Sequence, residues 1–267
     1  MSPTRKIFLF AVVPLLIIFI IVGLFAGRGL DRAGRINIPN TDNNTSRSKN
    51  SSIDEPPLKL KSIGINLDTY NPATGMAGDL KFTKAKFSSG IQLLFSDFGY
   101  TIKAAYSASG QDKTSPQPTF IAPMGTKVMA LVDGVVVDIP KLYSNDYSVM
   151  VAPDKKSQWR YETEHVINPI VKVGDRVKAG QVVAEVSGYD AHGYDGLGLF
   201  EIGVMKGGQT PQHICPFAHL DDSIKEAVRQ KLTNLYKEWE EYRGDTSLYD
   251  EAALKMPGCL SLDPVNG

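Results

Sequence analysis

Few side chains in this sequence are equipped for bond-making chemistry. There are four histidines and two cysteines in 267 residues. His165 stands among strand-forming residues, and the chemistry open to it alone is proton transfer. A general base contributes ~10²–10⁴-fold, far short of the ~10⁶-fold or more that enzymes bring to amide hydrolysis. His192 has Asp190 and Asp195 beside it and Glu201 further on, a set of donor types suited to a relocated metal site. Glu201 alternates with Phe200 and Ile202, which otherwise reads as a charge on the solvent face of a strand. His213, Cys215 and His219 lie close together, but structural zinc usually draws on two paired clusters, and Cys259 offers no second pair. Cys215 and Cys259 are an even pair flanking a separable element, which suits a disulfide in an oxidising compartment. Two unrelated buried thiols are the alternative. There is no Gly-x-Ser-x-Gly elbow for a nucleophilic serine and no glycine loop to cradle a phosphate.

The elements that would carry these residues are mostly strands. From about residue 60 to 204 the apolar runs are short, β-branched and punctuated by Gly, Pro and Asp. The runs at 127–132, 134–137, 147–151, 170–173, 181–186 and 199–204 predict strands. Lys or Asp between valines implies one buried face. The stretch 63–105 has further apolar runs and is expected to supply outer strands. After it the period changes. Ile224, Val228, Leu232, Leu235, Trp239 and Tyr242 fall three or four apart, which predicts an amphipathic helix. Ser223 with Glu226 forms a candidate capping box, and Gly244 is a candidate C-terminal stop. The bland role for this helix is packing on the β-domain; the sharper one is partner binding. A disulfide between Cys215 and Cys259 would close a loop worth ~3–4 kcal/mol in the chain-entropy model.

Three stretches carry a recognisable order: FIAPMGTKVMA at 120–130 followed by DGVVV at 133–137, HVINPIVKVGDRVKAGQVV at 165–183, and GLFEI at 198–202. Physically, Gly-Asp-x-Val-Lys-x-Gly-Gln is a strand, a tight turn and a return strand, with Gly174 and Gly180 at the turns. The Ala-Pro-x-Gly-Thr stretch and its Asp-Gly-Val-Val form the matching first half. The ordered set, over roughly 117–204, resembles the lysostaphin-type (LytM-like) cell-wall zinc endopeptidases. The resemblance implies a mainly β fold, a lysostaphin-type endopeptidase β-sandwich of duplicated hybrid-motif hairpins. The Gly-Asp turn alone also occurs in lipoyl, biotinyl and secretion-adaptor domains.

Family members hold zinc with a His and an Asp four residues apart and with the second His of a final His-x-His. The matching positions here are Ser115, Thr119 and Leu199, and the first His of that pair is Leu197. Only the His of the middle motif is kept, as His165. Hydroxyls are poor zinc donors and Leu has none. Without the metal nothing lowers the pKa of an attacking water from ~15.7 toward ~7. The expectation is therefore a degenerate member with no metal and no cofactor, with His165 as any residual catalytic group. Ser115, Thr119, His192, Asp195, Leu197, Leu199 and Glu201 are its groove candidates. Some relatives of this kind regulate other wall hydrolases.

The ends of the chain set where such a domain would work. Residues 7–27 contain no charge and would span roughly 30 Å as a helix, about one bilayer core. A cleaved signal peptide is the alternative, but Leu24 is large for a cleavage motif. Residues 28–58 are polar and lack periodicity, as a tether would be. The division expected is an anchor at 1–27, a linker at 28–58, the β-domain at 59–206 and a helical extension at 207–267. Basic residues flank the span on both sides, so the positive-inside rule does not decide. The cysteine pair favours an extracytoplasmic, single-pass arrangement. Lys plus Arg equals Asp plus Glu, 29 each, which gives no electrostatic reason for a nucleic-acid partner. The partners expected are the membrane and a cell-wall peptide, a glycan or a wall hydrolase. The competing functions are a zinc endopeptidase with displaced ligands and a lipoyl-like or membrane-fusion adaptor domain. The adaptor reading lacks a modifiable Lys at a hairpin tip and long coiled-coil helices.

Overall fold

A computed structural model describes residues 54–87, 92–107, 109–189 and 196–267. The chain divides into two units, 1–50 and 51–267, and every described residue belongs to the second. The apolar stretch 7–27 lies outside the described residues, as do His192, Asp190 and Asp195. Among the described residues no helix is long and apolar enough to cross a membrane.

The first strands are short. β1 (Met76–Ala77) and β2 (Leu80–Lys81) form a small hairpin. β3 (Phe95–Ser96) joins the main sheet, while β4 (Thr101–Ile102) pairs β5 (Lys113–Thr114) outside it. Then come β6 (Thr119–Pro123), β7 (Lys127–Met129), β8 (Gly134–Asp138), β9 (Tyr147–Ala152) and β10 (Trp159–Ile167). β11 (Arg176–Val177), β12 (Val182–Val186), β13 (Leu197–Lys206) and β14 (Gln212–Ile214) follow. After helix α1 (Lys225–Arg243) the chain closes with β15 (Val265–Asn266), which pairs β14. The expected strand at 170–173 does not form. Ile170 and Val173 are 70% and 58% exposed, and the amide of Lys172 is bonded to the Asp175 carboxylate in a turn.

The two hairpin halves are hydrogen-bonded into one eleven-stranded antiparallel sheet, because β10 and β13 change partners along their length. β10 pairs β13 over residues 159–164, then turns to β12 at Val166 and Ile167. β13 pairs β6 through its first half and β10 and β14 through its second. Both strands are buried on two faces for most of their length, and β13 accordingly reads as an apolar run rather than clean alternation. Gly198 marks the crossing. A Cβ there would lie 1.8 Å from the Ser187 carbonyl oxygen, so only glycine lets the chain after β12 pass so close.

Helix α1 buries Leu232, Leu235, Tyr236 and Trp239 as its period predicts. Gly244 ends it in the left-handed region at φ 72°, its amide bonded to the Glu240 carbonyl. The expected capping box is absent. Asp221 takes both the amide and the hydroxyl of Ser223, and the helix starts at Lys225 without a side-chain cap. The buried helix face fastens the segment before β4. Phe82 packs on Tyr70, Trp239 and Tyr242 at centroid distances of 4.1, 5.1 and 5.3 Å. Arg243 donates to the carbonyls of Thr83 and Ala85, and Trp239 donates to that of Gln92. The Tyr236 hydroxyl donates to Asp97 at 2.6 Å. Cys215 and Cys259 are disulfide-bonded, with Cα atoms 6.0 Å apart.

Candidate functional site

Strand register decides which polar residues meet. Thr119 on β6 stands opposite Glu201 on β13, and Glu201 opposite Glu164 on β10. Opposed residues share a face, and so do residues two apart on one strand. Leu199, Thr119, Glu201, Glu164 and Glu162 therefore line one face, and Gln117, just before β6, reaches the same cluster. Glu162 faces Gly203 across the strands. A Cβ at Gly203 would come within 3.2 Å of both Glu162 and Gln117, so the glycine makes room for the polar cluster.

The cluster is closely bonded. The Gln117 amide donates to Glu164 at 2.8 Å and to Glu162 at 3.2 Å. Ser148 donates to Glu162 at 2.5 Å. Thr119 donates to Glu201 at 3.0 Å. No basic side chain is ion-paired with these carboxylates among the described residues. Burial pushes the Glu162 carboxyl up, and the charge of Glu164 adds to the effect. Burial likewise raises Glu201 to about 7, with Glu164 adding to the rise. His165, Thr119 and Lys113 hold it down in part. Glu201 is thus a cluster member rather than a charge on a solvent face.

His165 sits at the point where β10 changes partners. The β9–β10 register shifts between Thr163 and Val166, and His165 takes φ 58°, a strained value for a residue with a Cβ. Its ring is 4% exposed. Nδ1 lies 3.1 Å from an Asp146 carboxylate oxygen, which also accepts from Ser187 at 2.6 Å. Ser144 donates to the other carboxylate oxygen. Tyr189 stacks on the imidazole at 3.9 Å, and its hydroxyl meets that of Tyr143 at 2.8 Å. An Nδ1–H donated to Asp146 leaves Nε2 as the proton acceptor. Asp146, Ser144 and Ser187 lie far from His165 in sequence and show no spacing that would reveal them; only the bulge brings them together.

Ser115, Thr119, Leu199 and Glu201 line one cavity of about 70 Å³. Its remaining wall is Phe87, Leu93, Ser96, Tyr100, Ile102 and Ile121. The three positions that match the family's zinc ligands therefore converge, as the resemblance implies. Their donors do not fit zinc. The Ser115 hydroxyl is given to the Gln117 carbonyl at 2.8 Å, the Thr119 hydroxyl to Glu201, and Leu199 is hydrocarbon. Among the described residues no group of three or more His, Cys, Asp or Glu is placed to hold a metal ion. Leu197 is 1% exposed and lies in the apolar core rather than the cavity. A metal at His213, Cys215 and His219 is ruled out by the disulfide, which takes the Cys215 sulfur. His213 is buried, which lowers its pKa to about 4.

The model of Peptidase family M23 matches residues 118–207. No curated protein sequence matches. Among solved structures, a catalytic-domain variant of the prophage-encoded M23 protein EnpA from Enterococcus faecalis is 24% identical, with a TM-score of 0.34. The match covers 45% of this chain and 85% of that one. The protein LytU is 24% identical over 56% of this chain and 88% of its own, with a TM-score of 0.35. Lysostaphin from Staphylococcus simulans, an antimicrobial peptidase, is 21% identical over 48% of this chain and 50% of its own, with a TM-score of 0.34.

Proposed function

We propose, because residues 118–207 match the model of Peptidase family M23, that this chain is a membrane-tethered, non-catalytic relative of the cell-wall hydrolases. It uses the site of the lost metal to bind wall material. The observation that carries the reading is the chemistry of the three convergent positions. They offer two hydroxyls whose protons are already engaged and one hydrocarbon side chain. Such a set does not hold zinc, and an unactivated water at pKa ~15.7 is a poor nucleophile at neutral pH. The apolar stretch 7–27 supports a tether, and the disulfide supports an oxidising, extracytoplasmic side. The ligand class in this reading is a cell-wall peptide or glycan, with a partner hydrolase as a further occupant. No cofactor is required.

Among the described residues, His165 with Asp146 is the feature that favours a second reading, an active peptidase whose metal ligands are displaced. It is a base with an orienting carboxylate, an arrangement found in hydrolases. One experiment separates the two. The full chain, purified in detergent, is analysed for metal content and incubated with insoluble peptidoglycan. The expected result is less than about one tenth of an equivalent of zinc, no chelator-induced change in melting temperature, and co-sedimentation without release of soluble fragments. One equivalent of zinc with release of cut peptide would overturn the proposal.

A further inference from the structure

The cavity at the vestigial metal site has an unusual polar inventory. Ser115 gives its proton to the Gln117 carbonyl and Thr119 gives its own to Glu201. Toward the cavity both hydroxyls therefore show only lone pairs. Glu201 adds carboxylate oxygens. Ser96, held opposite Thr119 by the β3–β6 pairing, is 8% exposed. Its hydroxyl has no hydrogen-bond partner among the described residues and lines the cavity, where both its proton and its lone pairs are open. The site therefore shows mainly acceptors to whatever enters it, with the Ser96 hydroxyl unengaged. Glu164 and Glu162 lie behind Glu201, with Lys113 and His165 as the basic groups that act on Glu201 through space. The side-chain hydroxyls left to donate to an anion or a carbonyl are those of Ser96 and Tyr100, and neither carries a positive charge. A divalent ion wants six or more oxygens, more than this cavity shows.

We propose that this cavity binds a small primary ammonium, the free amino end of a peptide that starts with a small residue, with Glu201 as its counter-ion. The three N–H donors of an ammonium match Glu201, Ser96 and one of the two lone-pair hydroxyls. Size sets the limit. At about 70 Å³ the space is roughly half of the ~150 Å³ that accepts benzene, which leaves room for about three heavy atoms. The ammonium and α-carbon enter, and the first amide stays at the mouth. There Tyr100, Ile102, Leu199 and Glu201 are partly exposed. The inference rests on the wall-binding reading for its biological peptide but is tested without it.

The probe is glycinamide, titrated into the full chain in detergent by calorimetry, with N-acetylglycinamide as the neutral control. One-site saturable binding of glycinamide is expected, with the acetylated control at least about tenfold weaker. Glu201→Gln keeps the Thr119 hydrogen bond and should lower glycinamide affinity by about tenfold or more while leaving the melting temperature no lower. Equal binding of the two probes to the unmodified chain, or no saturable glycinamide binding, overturns the proposal even if the variant fails to fold. Peptidoglycan binding that persists without any response to glycinamide removes the pocket assignment and leaves the wall-binding reading intact. Glycinamide binding without peptidoglycan binding upholds the pocket and removes the wall.

Discussion

Glu162 is 3% exposed and lies within one hydrogen-bonded cluster with Glu164 and Gln117. Its carboxyl is more stable protonated in the folded chain than in water, and so is that of Glu201, whose pKa is about 7 against an ordinary 4.5. A raised acid pKa means that the folded state binds more protons than the unfolded one. The stabilisation is complete below about pH 4.5 and is lost as pH rises through about 7 for Glu201, with Glu162 losing its share in the same direction. The chain is therefore expected to unfold at a higher temperature at pH 5.5 than at pH 8. Glu162→Gln keeps an acceptor for Gln117 and removes the charge. It should raise stability at pH 8 by about 2 kcal/mol, or roughly 4–8 °C for a unit of this size, and flatten the pH profile. Differential scanning calorimetry at the two pH values reads both effects. A variant that melts lower at pH 8 would mean that the glutamate is held ionised by a cation in the fold.

The elements that wall the cavity are held by a C-terminal strap. Phe98 donates to the Gly258 carbonyl, and Leu260 donates back to that of Phe98. The Gly258 amide reaches the Tyr236 hydroxyl, and Tyr249 bonds the Phe95 carbonyl. The disulfide from Cys215 to Cys259 anchors this strap, its ends 44 positions apart in sequence. The chain-entropy model assigns such a loop about 4 kcal/mol. Reduction is expected to lower the melting temperature by roughly 8–16 °C. It should also raise hydrogen exchange at 95–99 and 256–260 before it does so in β10 and β13. Uniform loss across the sheet would mean that strap and sheet open together. At this scale the sequence was legible wherever a local period or turn chemistry sets the element. The spacing of Leu232, Leu235 and Trp239 marks α1, and Gly244 marks its end. β10 was missed because Trp159–Ile167 sets charged residues among apolar ones although most of them are buried, so no apolar run marks it. The strand expected at 170–173 was an apolar run with nothing to pair with. The placement of 82–87 and 92–102 beside the cavity was not legible, since these residues are held by tyrosine and arginine contacts from residues more than a hundred positions away. The ordered motifs pointed to positions 115, 119 and 199, which line one cavity, whereas Asp146, Glu162 and Ser96 needed the fold to bring them into view.

At the scale of the whole molecule, the strand framework and the donor set it presents are separable. β6 and β13 bring positions 115, 119 and 199 to one cavity whatever side chains stand there. Restoring the family's donors by Ser115→His, Thr119→Asp and Leu199→His should therefore restore metal binding without rebuilding the fold. The carboxylate introduced at position 119 would face Glu201 and lose the hydroxyl that now donates to it. The metal-free triple variant is thus expected to melt below the parent, and more so at pH 8 than at pH 5.5. Zinc would neutralise that cluster. At a thousandfold excess over its dissociation constant it should contribute about 4 kcal/mol, or roughly 8–16 °C, and bind at one equivalent. Wall hydrolysis should still be absent. Position 197 holds a leucine packed in the core, where the family has its second catalytic histidine, and Phe87, Leu93 and Tyr100 wall the cavity. Thermal melts with and without zinc, beside a peptidoglycan release assay, read the two halves separately. No zinc-dependent shift would show that the three positions do not converge closely enough to share an ion. Zinc binding with hydrolysis would show that the covering segment opens and that the ligands alone separate this chain from an active peptidase.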